Sequence, residues 1–240
     1  LKYFIHKRMN VETVLSPLLF HQIENIDLKN VVVIDILRAT STITTILQNG
    51  ASAVIPVSEE SVASSYKSNG YLVGGEREGD TIPGFDFGNS PFHYKSEIVT
   101  GKEIVLTTTN GTKCIEMASR ANQVIIGSFL NLSAVVDQLQ SSGKDIVLFC
   151  AGWKDRVNLE DSLFAGAVAS AFSSQNLDDA SLLAIDAYQA AKDNLFEALK
   201  NSNHFHRLAS KGVTKDIEYC CRIDVIGNVA ILREKKLILN

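Results

Sequence analysis

Residues 31–47 run VVVIDILRATSTITTIL, and the order of residue types within them decides the fold class. Four β-branched aliphatics in succession, with no polar residue between them, describe a strand covered on both faces. Asp35 and Arg38 break the run, and from Thr40 to Gln48 the aliphatics return at helical spacing among Ser and Thr. Strand, polar turn and helix form the unit of a parallel α/β sheet. The unit recurs in IVLTTTNGTKCIEMA, residues 104–118, and in DIVLFCAGWKDRVNLEDSLFAGAVA, residues 145–169.

Outward from these units, short aliphatic runs alternate with helical periodicity. Strands are predicted at Tyr3–His6, Val31–Ile36, Ala53–Val57, Tyr71–Val73, Glu103–Thr107, Gln123–Gly127 and Asp145–Cys150. Helices are predicted at Thr40–Gln48, Glu59–Asn69, Thr112–Arg120, Leu132–Gln140 and Glu160–Ser173. Beyond Asp178 the spacing is mostly helical, over Asp179–Ala191, Asn194–Lys200 and His204–Lys211, and a strand pair Val229–Leu232 and Lys236–Leu239 closes the chain. With no repeat, low-complexity tract or linker, residues 1–240 are expected to form one domain: a mostly parallel sheet flanked by helices, with a helical C-terminal portion.

Composition removes several function classes. Apolar residues make up 45% of the 240 and charged residues 21%, with a formal charge of −4 and no basic tract longer than a pair such as Lys235-Lys236. A nucleic-acid partner, which demands a basic face, is therefore not expected. No apolar segment approaches the roughly 20 residues of a membrane helix, and the opening residues carry too much charge for a secretory signal. The four cysteines, Cys114, Cys150, Cys220 and Cys221, lack metal or disulfide spacing, so reduced thiols in a cytoplasmic protein are expected. The charge-poor stretch LFAGAVASAF, residues 163–172, suits a core or a homodimer face equally.

The three polar turns are the candidate ligand sites. In a parallel sheet they share the carboxyl edge, where α/β proteins place ligands, and each helix start offers free N–H groups to an anion. Capping alone would account for any single turn, but TTTNGT places Thr108, Thr109, Asn110, Gly111 and Thr112 where one hydroxyl would suffice. It has neither P-loop nor GxGxxG spacing. The carboxylates Asp35, Glu76, Asp86, Glu160 and Asp161 are expected on the same edge; without neighbouring His or Cys they suit a hard cation, and beside a phosphate that means Mg²⁺. His204 and His206 stand two apart, on different faces of a helix, which disfavours zinc. Arg38, Arg77, Lys113, Lys154 and Arg156 accompany the turns and could meet an anionic ligand. Residues 74–93, GGEREGDTIPGFDFGNSPFH, are long for a connection and too aromatic for disorder; Asn89 and Ser90 are candidate donors in a segment that could close as a lid.

In this order, DILRATSTI, GEREGDTIPGFDFGNSP, TTTNGT, CAGW with LEDSLFAGA, and SNHFHRLASKGVTKDIEYCCRID resemble the motifs of the 2-phosphosulfolactate phosphatase family over about residues 30–225. The resemblance implies an α/β phosphatase that uses Mg²⁺ to hydrolyse 2-phospho-3-sulfolactate, in coenzyme M biosynthesis or in bacterial sulfolactate metabolism. Such a small, triply anionic phosphorylated substrate needs several positive centres. On this reading Asp35, Glu160 and Asp161 lead the Mg²⁺ ligands, with Glu76 or Asp86 reaching the ion or its waters. Asp35, Arg38, Glu160 and Asp161 form the catalytic set, and Arg38, Arg77, Asn89, Ser90, the 108–112 turn and Arg156 hold substrate. Attack by water and attack by Asp35 through an acyl phosphate both remain open. So do two other functional classes, a non-catalytic binding module for a small anion and phosphoryl transfer to an alcohol.

Overall fold

The computed structural model describes residues 8–240. These form eleven strands of one sheet: β1 Asn10–Val14, β2 Asn30–Ile34, β3 Ala53–Pro56, β4 Leu72–Arg77, β5 Asp80–Thr81, β6 Glu103–Thr107, β7 Gln123–Gly127, β8 Ile146–Cys150, β9 Asn176–Leu177, β10 Ala230–Arg233 and β11 Lys236–Leu239. The helices are α1 Ala39–Gln48, α2 Glu60–Ser68, α3 Ser96–Val99, α4 Gly111–Met117, α5 Leu132–Ser142, α6 Leu159–Ser170, α7 Asp179–Ala191, α8 Leu195–Leu199, α9 Asn203–Ala209 and α10 Thr214–Cys220.

Strand order is β5-β4-β6-β3-β11-β10-β7-β2-β8-β1-β9. Within the sheet, β7, β2, β8, β1 and β9 are parallel to one another, as are β3, β6 and β4. The β10–β11 hairpin separates the two blocks and pairs antiparallel with β7 on one side and β3 on the other. The sheet is therefore mostly parallel, as expected, but its two blocks run in opposite senses. A flat sheet would put the carboxyl ends of β2 and β6 on opposite edges. They nevertheless meet: a Cβ built on Gly111, after β6, would lie 2.7 Å from Asp35 Oδ2, after β2. Strand twist accumulated across the hairpin curls the sheet around α1 and α4 and brings those ends together.

Strand β2 shows why the aliphatic run is unbroken. Val32 and Ile34 face a core with Phe129, Phe164 and Val168, whereas Val31 and Val33 face a second core with Ile43, Ile46 and Leu106. Both faces are dry, so no position can be polar. Helix α1 sits inside the curl with every residue from Ala39 to Leu47 buried. Its hydroxyls are satisfied by carbonyls: Ser41 donates to Ile36 O at 2.9 Å, Thr42 to Asn89 O at 3.0 Å, and Thr44 and Thr45 to the preceding turn at 2.8 Å. Much of the Ser/Thr content of residues 40–45 thus lets a helix be covered on all sides. Leu163–Ala169 of α6 is likewise buried within the chain and serves as core.

Most predicted elements occur within a few residues of their expected ends. The predicted strand Tyr3–His6 lies outside the described residues. Strand β1, the two-residue β5 and β9, and the short α3 and α10 were not anticipated. Residues 74–93 are not a loose lid: they begin as β4, turn back at β5, and are tied down by Tyr94 Oη donating to Gly88 O at 2.7 Å and by Val73 N donating to Asp86 Oδ2 at 2.9 Å. Phe87 packs on Tyr94 and Phe92 on Tyr219, with ring centroids 4.9 and 5.2 Å apart.

Gly166 sets the approach of α6 to α7, because a Cβ there would meet Ala184 O at 1.9 Å. Gly166→Ala should cost about 1–3 kcal/mol by overpacking, read as a lower urea midpoint with an unaltered slope. An unchanged midpoint would mean that α7 moves aside freely.

Candidate functional site

Asp35 leaves β2 at the point where two chains of contacts cross. Its Oδ1 accepts from Ala39 N at 3.2 Å, and its carbonyl accepts from Thr40 N at 2.9 Å. The start of α1 was expected to offer free amides to an anion; instead Asp35 itself occupies it, the usual preference of a carboxylate for the positive end of a helix. Asp161, in the first turn of α6, accepts from Ile36 N at 2.9 Å through Oδ1 and from Gly152 N at 3.0 Å through Oδ2. It thereby clamps the turns after β2 and β8 together. The Leu37–Arg38 peptide is cis.

Glu76, buried at the end of β4, works in the same way. Its Oε1 accepts from Thr109 N at 2.7 Å and its Oε2 from Gly79 N at 2.6 Å, joining the 108–112 turn to the β4–β5 hairpin. Within the 108–112 turn, the amides of Thr108 and Thr112 each donate to the other's hydroxyl at 3.2 Å, which leaves Thr109 and Asn110 to line the cleft. The surplus of Thr in TTTNGT is thus divided between capping and a wall.

Between these turns lies a narrow cleft of about 350 Å³ including its open mouth. Asp35, Arg38, Glu76, Asn89, Thr109 and Asn110 line it together with Glu78, Gly79, Trp153, His204, Arg207 and Leu208. Arg38 forms a buried ion pair with Asp216 of α10. His204 Nδ1 meets Glu160 Oε1, and its Nε2 lies 2.5 Å from Arg207 Nη2. A guanidinium can only donate, so Nε2 accepts and Nδ1 carries the proton that it gives to Glu160. Arg207 also stacks over Trp153, 4.7 Å from the ring centroid, and donates to Glu78 O at 3.2 Å.

Four buried side-chain atoms lack a hydrogen-bond partner among the described residues: Asn89 Oδ1, Thr109 Oγ1, Glu160 Oε2 and Arg207 Nε. Three of those residues line the cleft, and the fourth touches His204 in its wall. Orphaned buried polar atoms are few in folded proteins, so their gathering here marks a place built for a ligand.

The structure brings Asp35, Arg38, Glu76, Asn89, Thr109 and Asn110 together, with Gly111 against Asp35 and Glu160 and Asp161 just behind. It does not bring all the candidates there. Arg77, one residue beyond Glu76 on the strand, points to the opposite face, where it bonds Thr107 Oγ1 at 3.1 Å and pairs with Glu60. Asp86 is paired with Lys67 and the Val73 amide, away from the cleft. Arg156 is exposed in the 153–156 turn, and Ser90 is buried at the start of a short 3-10 turn. Trp153, His204 and Arg207 also line the cleft and Asp216 pairs with Arg38, none of them a candidate from residue type and spacing. The available signal was the i,i+3 pair His204 and Arg207, which shares one helix face.

Burial raises the Asp35 pKa to about 6, against the pull of the Ala39 amide and with help from the charges of Glu76 and Glu160. Burial, Glu160 and Asp35 likewise push Asp161 up, while its two amide donors pull it back. Among the described residues no three His, Cys, Asp or Glu side chains gather as a ready metal cage. Asp161 and Glu76 direct both oxygens to amides, so the less committed donors are Asp35, Glu160 Oε2, Asn89 Oδ1 and Thr109 Oγ1. This all-oxygen set fits Mg²⁺, which takes one or two carboxylates and completes its shell with water and substrate phosphate.

A curled α/β sheet whose strand ends enclose a cleft of carboxylates, amides and guanidinium groups defines a protein that takes a small anionic ligand. The family model described as 2-phosphosulpholactate phosphatase matches residues 17–235, and the chain belongs to that family. It is 46% identical over 207 residues to a probable 2-phosphosulfolactate phosphatase of Thermotoga petrophila, covering 86% of this chain and 90% of that one. Proteins of the same name from Caldanaerobacter subterraneus and Carboxydothermus hydrogenoformans are 42% and 37% identical, over 89% and 96% of this chain and 92% and 97% of theirs.

Because the folded pKa of Asp35 stands above its ordinary 3.8, the folded protein holds a proton there that the unfolded chain has released. That contribution to stability is full below pH 3.8 and is lost as pH rises through about 6. Asp35→Asn should therefore be more stable than the parent at pH 8, by up to about 3 kcal/mol, with the gap closing towards pH 4. Urea unfolding across that range checks it, and a variant less stable at pH 8 would contradict a costly buried charge.

Proposed function

We propose that this protein is a Mg²⁺-dependent phosphatase that hydrolyses 2-phospho-3-sulfolactate to 3-sulfolactate and inorganic phosphate. The observation that carries the reading is the gathering of unpartnered buried polar atoms in and beside the cleft that Asp35 lines, which also holds two guanidinium groups. The family relatives bear the name of this activity, and the substrate's phosphate, carboxylate and sulfonate match a cleft of that composition.

Asp35 would hold the Mg²⁺, with Asn89, Thr109 and Glu160 supplying nearby oxygens. When bound, the ion supplies positive charge for the phosphoryl oxygens and orients the ester. Arg38 presents its guanidinium at the floor while Asp216 fixes its direction. Asn110 adds an amide to the same wall, and Gly111 lets the turn approach Asp35 without a clash. Glu76 and Asp161 position rather than contact: they hold the three turns through backbone amides. The four cysteines are unpaired thiols, which supports a reducing compartment and so a cytoplasmic enzyme.

Phosphate release is to be measured from 2-phosphosulfolactate, 2-phospholactate and an aryl phosphate, with Mg²⁺ and with EDTA. The expected result is Mg²⁺-dependent turnover that favours the sulfonate; no release from any of the three would leave a small-anion binding module instead. Asp35→Asn should lower kcat by at least about 10²-fold. For the parent, kcat/KM should fall as pH drops through about 6, where Asp35 takes up a proton in the free protein.

A further inference from the structure

The cations near the cleft differ in how far their charge is already used. Arg38 is neutralised by Asp216 in a pair that is almost wholly buried. Lys154 lies 3.0 Å from Glu78 Oε1, and Arg77 pairs with Glu60 behind the sheet. Arg207 has no carboxylate within ion-pair distance among the described residues. Its neighbours are all neutral acceptors or surfaces: His204 Nε2, Glu78 O and the face of Trp153. Its Nε is buried with no acceptor at all.

Those contacts fix the plane of the guanidinium without cancelling its charge. A stacked, planar donor held in this way has little orientational freedom left to lose when it meets an oxyanion. It is also separate from the Asp35–Arg38 floor in origin, since it comes from α9 and lines the wall next to the β4–β5 turn. A simple phosphate ester has one anionic group, which the cation proposed at Asp35 would meet. A second fixed and unneutralised cation in so narrow a cleft calls for a second anion on the same ligand.

Building on the phosphatase reading, we propose that Arg207 is the residue that selects substrates, by binding the anionic group of the ester other than the phosphate. His204 and Trp153 are positioning residues for it: one fixes the guanidinium edge and the other its plane. The ligand class is therefore a small phosphate monoester with a second oxyanion, sulfonate or carboxylate, on the same short carbon chain.

The test compares the parent with Arg207→Gln and Arg207→Lys, each checked for folding by its thermal midpoint. The expected result is a rise in KM for 2-phosphosulfolactate, with kcat/KM losing at least about tenfold more on that substrate than on the aryl phosphate. The lysine variant, which keeps charge but loses the planar fork, should fall between. Equal losses on both esters would place Arg207 on the phosphoryl group and overturn the proposal, as would no loss on either. Calorimetry with 3-sulfolactate, which carries no phosphate, tests the same contact without turnover. Binding by the parent that weakens in Arg207→Gln supports the proposal; binding that is absent from the parent or unaffected in the variant overturns it. Phosphate release by the parent is read separately, so a protein that binds 3-sulfolactate through Arg207 yet releases no phosphate would sink the phosphatase reading alone.

Discussion

The site depends on the buried carboxylate of Asp161. Its two oxygens accept from Ile36 N and Gly152 N and so fix the turns that leave two adjacent strands, β2 and β8. With Ile36 held, the short stretch to Arg38 has little freedom. Asp35 is directed at the start of α1 and Arg38 at Asp216. A neutral side chain could accept one of these amides, but only a carboxylate offers two equivalent acceptors that span the gap. Burying it beside Glu160 and Asp35 is unfavourable, as the upward push on its pKa records, and the two amide bonds offset part of that cost.

Glu76 repeats the device on the other block of the sheet, where it binds the amides of Thr109 and Gly79. The blocks run in opposite senses, so no single strand edge could align the turns after β2, β6 and β8. Curling around α1 brings them together, and carboxylate-to-amide bonds hold them there. This explains why the site is rich in acid. Two of the carboxylates are scaffold, while Asp35 and Glu160 keep oxygen capacity for a ligand. Acids this close, with Arg38 already neutralised, leave a negative field at the floor that an anionic ester would not enter unaided. A hard cation bound at Asp35 would reverse that field, which is the physical case for Mg²⁺.

The fold was legible where the sequence carries a period. Glu103–Thr107 and Gln123–Gly127 have the predicted bounds, because an apolar run flanked by polar residues marks a buried strand clearly. Strands of two residues carry no period, so β5 and β9 could not be found. The candidate site was legible where acid or hydroxyl follows a strand, as at Asp35 and Thr109. It was not legible at Arg77, because alternation along β4 sends adjacent residues to opposite faces and only the register decides which one enters. Asp86 and Arg156 stood in the right segments but were directed elsewhere by the Val73 amide and by the 153–156 turn.

The residues hardest to read were those of the C-terminal helices, for a reason that lies in sequence distance. Arg38 meets Asp216 and Glu160 meets His204 across separations of 178 and 44 residues, and nothing local in either segment announces its partner. Yet the cleft is incomplete without them: the β2–α1 turn supplies Asp35 and Arg38, α9 lines it with His204 and Arg207, and Asp216 of α10 pairs with Arg38. The chain thus separates two tasks in space. Strand ends of the sheet supply Asp35, Glu76 and the amide clamps, and a helix added after it supplies His204 and Arg207. Such a division would let α9 vary at the cleft while Asp35 and the amide clamps stay as they are.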